Sequence, residues 1–414
     1  MFRIYIYLSF LNFLRSFFFN NKWKIKKKIS KIILRQSEKK YFEFSSQCRI
    51  SFLYILKFLK KENKDRNEII FSAYNLPEMI NIAKNLKYKI RFCDLNYESG
   101  FVEANQILKK INKKTKVIVL TNMFNNWEQS MRIKKLANKK KIFLIEDNAI
   151  YFDNFSLKKN KKKYSGSLGD FTIYSFNIMK NISGLFGGAI ATNNKQFINY
   201  YNFENKKNNS FFKSKLISQI IIFIILKVMS IRILYKNLFI FIIEYAHKKK
   251  IGLLLKLFYP SLNFKIIKFP KYYFTKISSL TVKLVYLQIN NYKKRLEVFY
   301  NRKKKNIYYF KKISKIKNKN IDLIKVKDFN YQNFLDFPVL VKNKEKLNLF
   351  LLKKGIETKF IHYKNCEKLF HKKNYCKNSS LYEKKLICLP NHEKISFQYI
   401  DEIVKNLKKF FNEK

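Results

Sequence analysis

With 414 residues, 47% of them hydrophobic and 17% aromatic, the chain has enough apolar content for a large core and is excluded from the intrinsically disordered class. Its formal net charge of +59 rests on 87 basic residues, of which only ten are arginine, the better side chain for planar phosphate and base recognition. The lysines are scattered in short runs such as Lys159 to Lys163, which is the pattern of solvated faces and not of a dedicated nucleic-acid surface.

Five cysteines (Cys48, Cys93, Cys366, Cys376, Cys388) at irregular spacing argue against a disulfide framework and for a reducing compartment, the cytoplasm. The N-terminal MFRIYIYLSFLNFLRSFFFNNKWKIKKK holds an apolar run of 11 residues between Arg3 and Arg15, too short to span a bilayer and without a small-residue cleavage site. We expect an uncleaved arm over residues 1–40 that lies on a membrane or packs on the body, with residues 22–40 as a lysine-rich connector.

From Tyr41 onward, helix and strand patterns alternate. Ser51 to Lys60 reads as a helix, Glu68 to Ala73 as a buried strand, Pro77 to Asn85 as a helix and Tyr88 to Asp94 as a strand. Lys116 to Thr121 is a strand, Gln129 to Lys139 a helix, and Ile142 to Ile145 a strand ending in Glu146-Asp147. Short β-branched strands between helices predict an α/β fold with a mainly parallel sheet covered on both faces, whose ligands sit at the carboxyl ends of strands.

Tyr164 to Asn194 concentrates five of the chain's eight glycines (Gly166, Gly169, Gly184, Gly187, Gly188), and holds Lys180 on a turn between the strand-like runs Phe171 to Tyr174 and Gly188 to Thr192. A lysine on such a turn, Asp147 at a strand end upstream and the Ser175 hydroxyl form the set that a pyridoxal phosphate site needs. The amine condenses with the cofactor aldehyde, the carboxylate keeps the pyridine nitrogen protonated, and hydroxyls with backbone N–H groups hold the phosphate. Taken singly, the aspartate reads as a helix cap and the serine as a turn residue; it is their order that carries weight.

IFLIEDNA (142–149) followed by GSLGDFTIYSFNIMKNISGLFGGAIATNN (166–194) resembles the DegT/DnrJ/StrS-type sugar aminotransferases, with their I-E-D-x-A, G-S-x-G-D, S-F-x-x-x-K and G-x-G-G-A segments. KKGIETKFIHY (353–363) and ICLPNHEKISFQYIDEIVKNLKKF (387–410) resemble the family's C-terminal K-G-I-x-T and L-C-L-P-x-H segments. The resemblance implies the PLP-dependent fold type I: a large domain (41–292) with a mainly parallel seven-stranded sheet, and a small α+β C-terminal domain (293–414). It implies that Lys180 binds the pyridoxal 5'-phosphate aldehyde and shuttles protons, that Asp147 pairs the pyridine nitrogen, and that Ser175, Ile50 and Ser51 hold the phosphate. Asn177 would reach a neighbouring subunit's cofactor or its substrate, and the stacking aromatic falls at Tyr74 or at Leu76. A homodimer acting on a nucleotide sugar with an amino donor, glutamate, in surface-polysaccharide or lipopolysaccharide synthesis is the implied setting, and Lys180 in place of a histidine disfavours the family's dehydratase branch. The chain departs from the pattern at Cys48, Asn122, Asn125 and Ile150, which leaves open a non-catalytic member that keeps the fold for membrane or partner binding.

Phe211 to Leu262 holds the most apolar runs, LISQIIIFIIL (216–226) and NLFIFII (237–243), flanked by Lys215, Lys227, Arg232, Lys236 and the His247 to Lys250 cluster. Neither reaches the ~20 residues of a spanning helix. Two amphipathic helices that either lie at the inner membrane face or pack on the protein itself or a partner account for both features. His362, Cys366, His371, Cys376, Cys388 and His392 lack zinc-ligand spacing, so no metal is expected. In the C-terminal part, Asn291 to Ile313 reads as a long helix, Phe334 to Val341 as a strand, and Lys344 to Lys354 and Ser396 to Phe411 as helices.

Overall fold

The lysine-rich connector is a helix. In the computed structural model, which describes residues 6–18, 22–150, 152, 155–156, 163–164, 166–249, 251, 269–332 and 334–412, a short helix α1 (Phe10–Arg15) leads to α2 (Lys22–Ser37). Ile25, Ile29 and Ile33, spaced four apart, are buried along one side of α2 while lysines fill the rest. The end of the 211–262 insertion and most of the Lys159 to Lys163 run lie outside the described residues.

The alternating region follows the periodicity. Strands β1 (Tyr41–Ser45), β2 (Glu68–Ser72), β3 (Lys89–Cys93), β4 (Thr115–Thr121), β5 (Phe143–Asp147), β6 (Phe171–Ser175) and β7 (Gly188–Thr192) form one sheet in the order β1-β7-β6-β5-β4-β2-β3. The β2/β3, β2/β4, β4/β5 and β5/β6 pairs are parallel; β7 runs antiparallel to both β6 and β1. Successive side chains of one strand enter different cores, because strand residues alternate between faces. Ile70, Ile118 and Leu144 join one cluster, whereas Ile69, Phe71, Val117, Val119 and Ile145 join another. Helices α3 (Cys48–Lys61), α4 (Pro77–Asn85), α5 (Trp127–Lys139) and α6 (Lys195–Lys206) cover these faces.

The insertion forms α7 (Lys213–Met229) and α8 (Arg232–Lys248, with a π turn at Tyr235–Phe239), bent by 78° where they meet. Among the described residues no single helix is long and apolar enough to cross a membrane. Next come α9 (Ser279–Ile289), which packs on α2, and α10 (Tyr292–Ile313).

The C-terminal region builds a three-stranded antiparallel sheet, β8 (Ile321–Leu323), β9 (Phe337–Val341) and β10 (Leu386–Leu389). It packs with α11 (Lys344–Lys353), α12 (Lys377–Lys385) and α13 (Phe397–Asn412). This region is sewn to the large sheet by a two-residue antiparallel pairing, Asn75↔Lys364 and Tyr74↔Asn365, and by Cys366 N–H donating to the Ala73 carbonyl at 2.7 Å.

Candidate active site

The parallel register brings the ends of β4 and β5 together beside the middle of β6: Thr121 of β4 pairs with Asp147 of β5, and Asp147 with Ile173 of β6. The preceding residue, Glu146, is buried and ties down the glycine-rich loop. Its Oε1 accepts from Gly166 N–H (2.8 Å) and Asn122 Nδ2 (2.8 Å), and its Oε2 accepts from Leu168 and Gly169 N–H (3.0 Å each). Gly169 is required there, since a Cβ would stand 2.8 Å from that of Glu146. One carboxylate thus organises the loop beside the strand end and the next, Asp147, is left for the site.

Lys180 sits half-buried on the connection between β6 and β7. Asn177 builds the turn: its carbonyl accepts from Lys180 N–H (2.9 Å), and its exposed side chain accepts from Ile178 N–H (2.7 Å). The far half of the loop is held by α9, an element that the sequence reading did not assign. Gln288 Nε2 donates to the Ser183 carbonyl (2.6 Å), Ser183 N–H donates back to Gln288 Oε1 (3.1 Å), and Thr281 Oγ1 donates to the Gly184 carbonyl (2.9 Å). The apolar run SLTVKLVYLQI behind Ser278, which caps it by accepting from Thr281 N–H, was the signal for that helix.

The structure brings Lys180, Asp147 and Cys48 within reach of one another's charge. Burial lowers the pKa of the Lys180 amine, and the Lys359 ammonium acts in the same direction; Cys48, Asp147 and Asp336 oppose them. Burial raises the pKa of the Asp147 carboxyl, against the Ala149 N–H that it accepts at 3.1 Å and against Lys180. The Cys48 thiol is held well above its usual range, first by burial and then by Asp147.

Ile50 and Ser51 lie just inside α3. Their N–H groups both donate to the Gln47 carbonyl (3.1 and 3.2 Å), and the Ser51 hydroxyl is 2.6 Å from that of Ser45, with Ile50 itself buried. The end of the helix is formed by Cys48 and Arg49, so an anion at this N-terminus meets those positions first. Arg49 is positioned by an ion pair to Glu78 and by the Tyr273 hydroxyl. Ser175 ends β6 opposite Gly188. Gly188 admits the start of α3 to the sheet, because a Cβ would fall 2.4 Å from Cys48 N. Tyr74 is buried in the core, with its ring against Tyr363 (5.7 Å) and Tyr382 (5.9 Å), and Leu76 is half-buried as the N-cap of α4. Among the described residues, no group of three or more His, Cys, Asp or Glu side chains could hold a metal.

Two residues absent from the sequence reading complete the surroundings. Lys359 Nζ donates to Asp336 Oδ2 at 2.5 Å, and both groups act on Lys180 from the C-terminal region. Asp336 in turn faces Tyr7, which hydrogen-bonds to Arg302 and whose hydroxyl pKa burial pushes up to about 12.

Residues 52–206 match the model of the DegT/DnrJ/EryC1/StrS aminotransferase family. Over that stretch the chain is similar to this family. A curated relative is GDP-perosamine synthase from Escherichia coli O157:H7, 30% identical over 129 residues, which are 31% of this chain and 34% of that protein. The match thus spans about a third of that relative's length. The fold extends much further. Helicobacter pylori PseC, an aminotransferase involved in the biosynthesis of pseudoaminic acid, superposes with a TM-score of 0.71 at 17% identity, covering 98% of this chain and 96% of that one. Escherichia coli GDP-4-keto-6-deoxy-D-mannose-3-dehydratase with bound hydrated PLP gives 0.70 at 15% identity, covering 98% and 100%. The chain thus has the PLP-dependent aminotransferase fold with its seven-stranded sheet.

The residues fit pyridoxal phosphate. At the start of α3 the Gln47 N-cap makes no side-chain cap, and its buried Nε2 has no hydrogen-bond partner, the kind of unpaired donor at a helix start that suits a phosphate. The buried Asp147 carboxylate and the half-buried Lys180 complete the set.

Proposed function

We propose that this chain transfers an amino group, with glutamate as donor, to a keto sugar carried on a nucleoside diphosphate. The observation that carries the reading is the Lys180 turn set against Asp147 at adjoining strand ends within the matched family stretch. Pyridoxal phosphate, when bound, supplies an aldehyde that takes up the amine and a pyridinium ring that withdraws electrons from it. The α3 start at Cys48 and Arg49, with Gln47 Nε2 and Ser175, would hold its phosphate. Asp147 would hold a proton on its ring nitrogen.

Lys180 Nζ works as nucleophile and then as the group that moves a proton at the substrate carbon. The lowering of its pKa by burial and by Lys359 serves that role, since only the neutral amine attacks or accepts a proton. Lys359, beside Asp336, offers a cation for the substrate's anionic groups. The GDP-linked sugar in the relative's name supports a nucleotide-linked substrate. A surface-polysaccharide role, homodimeric assembly and a cytoplasmic site complete the reading; the five free thiols support a reducing compartment.

The test is a screen of keto-sugar nucleotides with glutamate, read by mass spectrometry of the sugar product. An amino sugar that forms only with glutamate and pyridoxal phosphate supports the reading. A deoxy product without nitrogen would place the chain with the dehydratases instead.

A further inference from the structure

The connected N-terminal and insertion helices each carry an exposed apolar stripe. On α7 the stripe is Ile217, Ile221, Ile224, Ile225 and Val228, spaced i, i+4, i+7, i+8 and i+11, and all five are exposed. The opposite side of the helix, Phe223, Leu226 and Met229, is buried. On α8 the stripe is Leu234, Leu238, Phe241 and Tyr245, again at i, i+4, i+7 and i+11, with Phe241 62% exposed and Ile240 and Ile243 buried behind it. Around α1, Phe10, Leu14, Phe17 and Phe18 are exposed, Phe18 at 84%, while Phe13 is buried against Phe223 with ring centroids 5.2 Å apart.

These elements, some 200 residues apart in sequence, form one body. Ile6, Leu8 and Phe13 share a core cluster with Phe223, Leu226, Tyr235 and Ile243, and Lys227 Nζ donates to the Ile6 carbonyl at 2.9 Å. Ile178 and Leu185, on either side of Lys180, lie in the same cluster, so this body backs directly onto the turn that carries the lysine.

The charge around the stripes has one sign. Exposed Lys213, Arg232, Lys236, Lys248 and Lys249 border them, and between residues 211 and 249 the single acid is Glu244, already paired with Lys248 at 2.9 Å. We infer that α1, α7 and α8 together form a docking surface for an anionic lipid bilayer, lying in the plane of the interface with the three stripes in the acyl boundary and the basic rim on the headgroups. Exposed apolar side chains with a basic border and next to no acid match an anionic leaflet, whereas two copies of this surface would oppose basic rims. A 78° bend separates α7 from α8, and among the described residues no single helix is long and apolar enough to cross the bilayer.

The test uses the full chain floated with vesicles of phosphatidylcholine alone or mixed with phosphatidylglycerol. One variant carries Ile221→Gln, Ile225→Gln and Phe241→Gln, and another Phe10→Gln and Leu14→Gln. All five side chains are exposed, so circular dichroism and melting should stay unchanged. The expected result is flotation with anionic vesicles only, weakened about tenfold or more in each variant even at raised salt. No flotation of the native chain would overturn the proposal, as would flotation indifferent to both variants, which is lysine electrostatics alone. A native oligomer that the variants dissociate, without vesicle binding, would assign the surface to a second copy. The readout is independent of turnover, so it stands or falls separately from the proposed activity.

Discussion

Lys359 Nζ lies 2.5 Å from Asp336 Oδ2 and, with it, faces the Lys180 amine from the opposite region of the chain. The site is therefore closed by a cation whose position depends on the C-terminal sheet. Lys359 is fixed there by a pair of backbone bonds with Cys388 (2.9 Å each way).

Lys359→Met removes a positive neighbour and should raise the pKa of the Lys180 amine. The pH at which pyridoxal phosphate uptake reaches half its maximal rate should move upward, while melting changes by about 1 kcal/mol or less, as for other partly exposed pairs. Stopped-flow absorbance across pH 7 to 10 checks this; an unchanged profile would mean that Lys359 does not act on the lysine.

Asp147 carries a pH signature with a definite sign. Its folded pKa is raised, so the cost of burying its charge is present above that pKa and is relieved as pH falls toward the ordinary carboxyl range. Without cofactor, Asp147→Asn should melt higher than the native chain near neutral pH, and the gap should narrow on acidification. Lys180 acts oppositely: its lowered pKa makes the cost greatest at low pH, relieved as pH rises through the folded value. Melting series on Asp147→Asn and Lys180→Ala, without cofactor, separate the two.

Gln288→Leu leaves the Ser183 N–H and C=O unpaired in a buried place. A loss of about 2 to 3 kcal/mol in unfolding free energy is expected, with weaker cofactor retention because the Lys180 loop loses its anchor. Urea unfolding together with a cofactor titration measures both.

Gly188→Ala places a Cβ against the backbone at Cys48, where nothing flexible can yield. Destabilisation of about 3 kcal/mol or more is expected, or insoluble protein, whereas Gly355→Ala, with open space around it but positive φ, should cost only about 1 kcal/mol. Parallel thermal melts compare them.

The fold and half of the site were written locally. The alternation of β-branched strands with helices gave the sheet, and Pro77–Asn85 and Gly188–Thr192 coincide with their predicted bounds, because proline and glycine mark those ends chemically. Asp147 and Lys180 were legible because each lies in a short segment whose glycines and strand run are contiguous. Helix α2 was hidden because its lysines masked an isoleucine stripe at every fourth position, and α9 because it is apolar almost all round. Lys359, Asp336 and Tyr7 were illegible for a different reason: they meet Lys180 or one another only through contacts between distant parts of the chain, which no local pattern records. Ile50 and Ser51 lie two and three residues inside α3, whose boundary falls at Cys48, and helix ends are the least certain part of a periodicity.

The most direct test of the central claim is the visible absorbance of the full chain purified with pyridoxal phosphate and washed free of excess. A visible band that disappears on borohydride treatment with a covalent adduct at Lys180, and is absent in Lys180→Ala, is the predicted result. A colourless native chain, or an adduct on a different lysine, would contradict it.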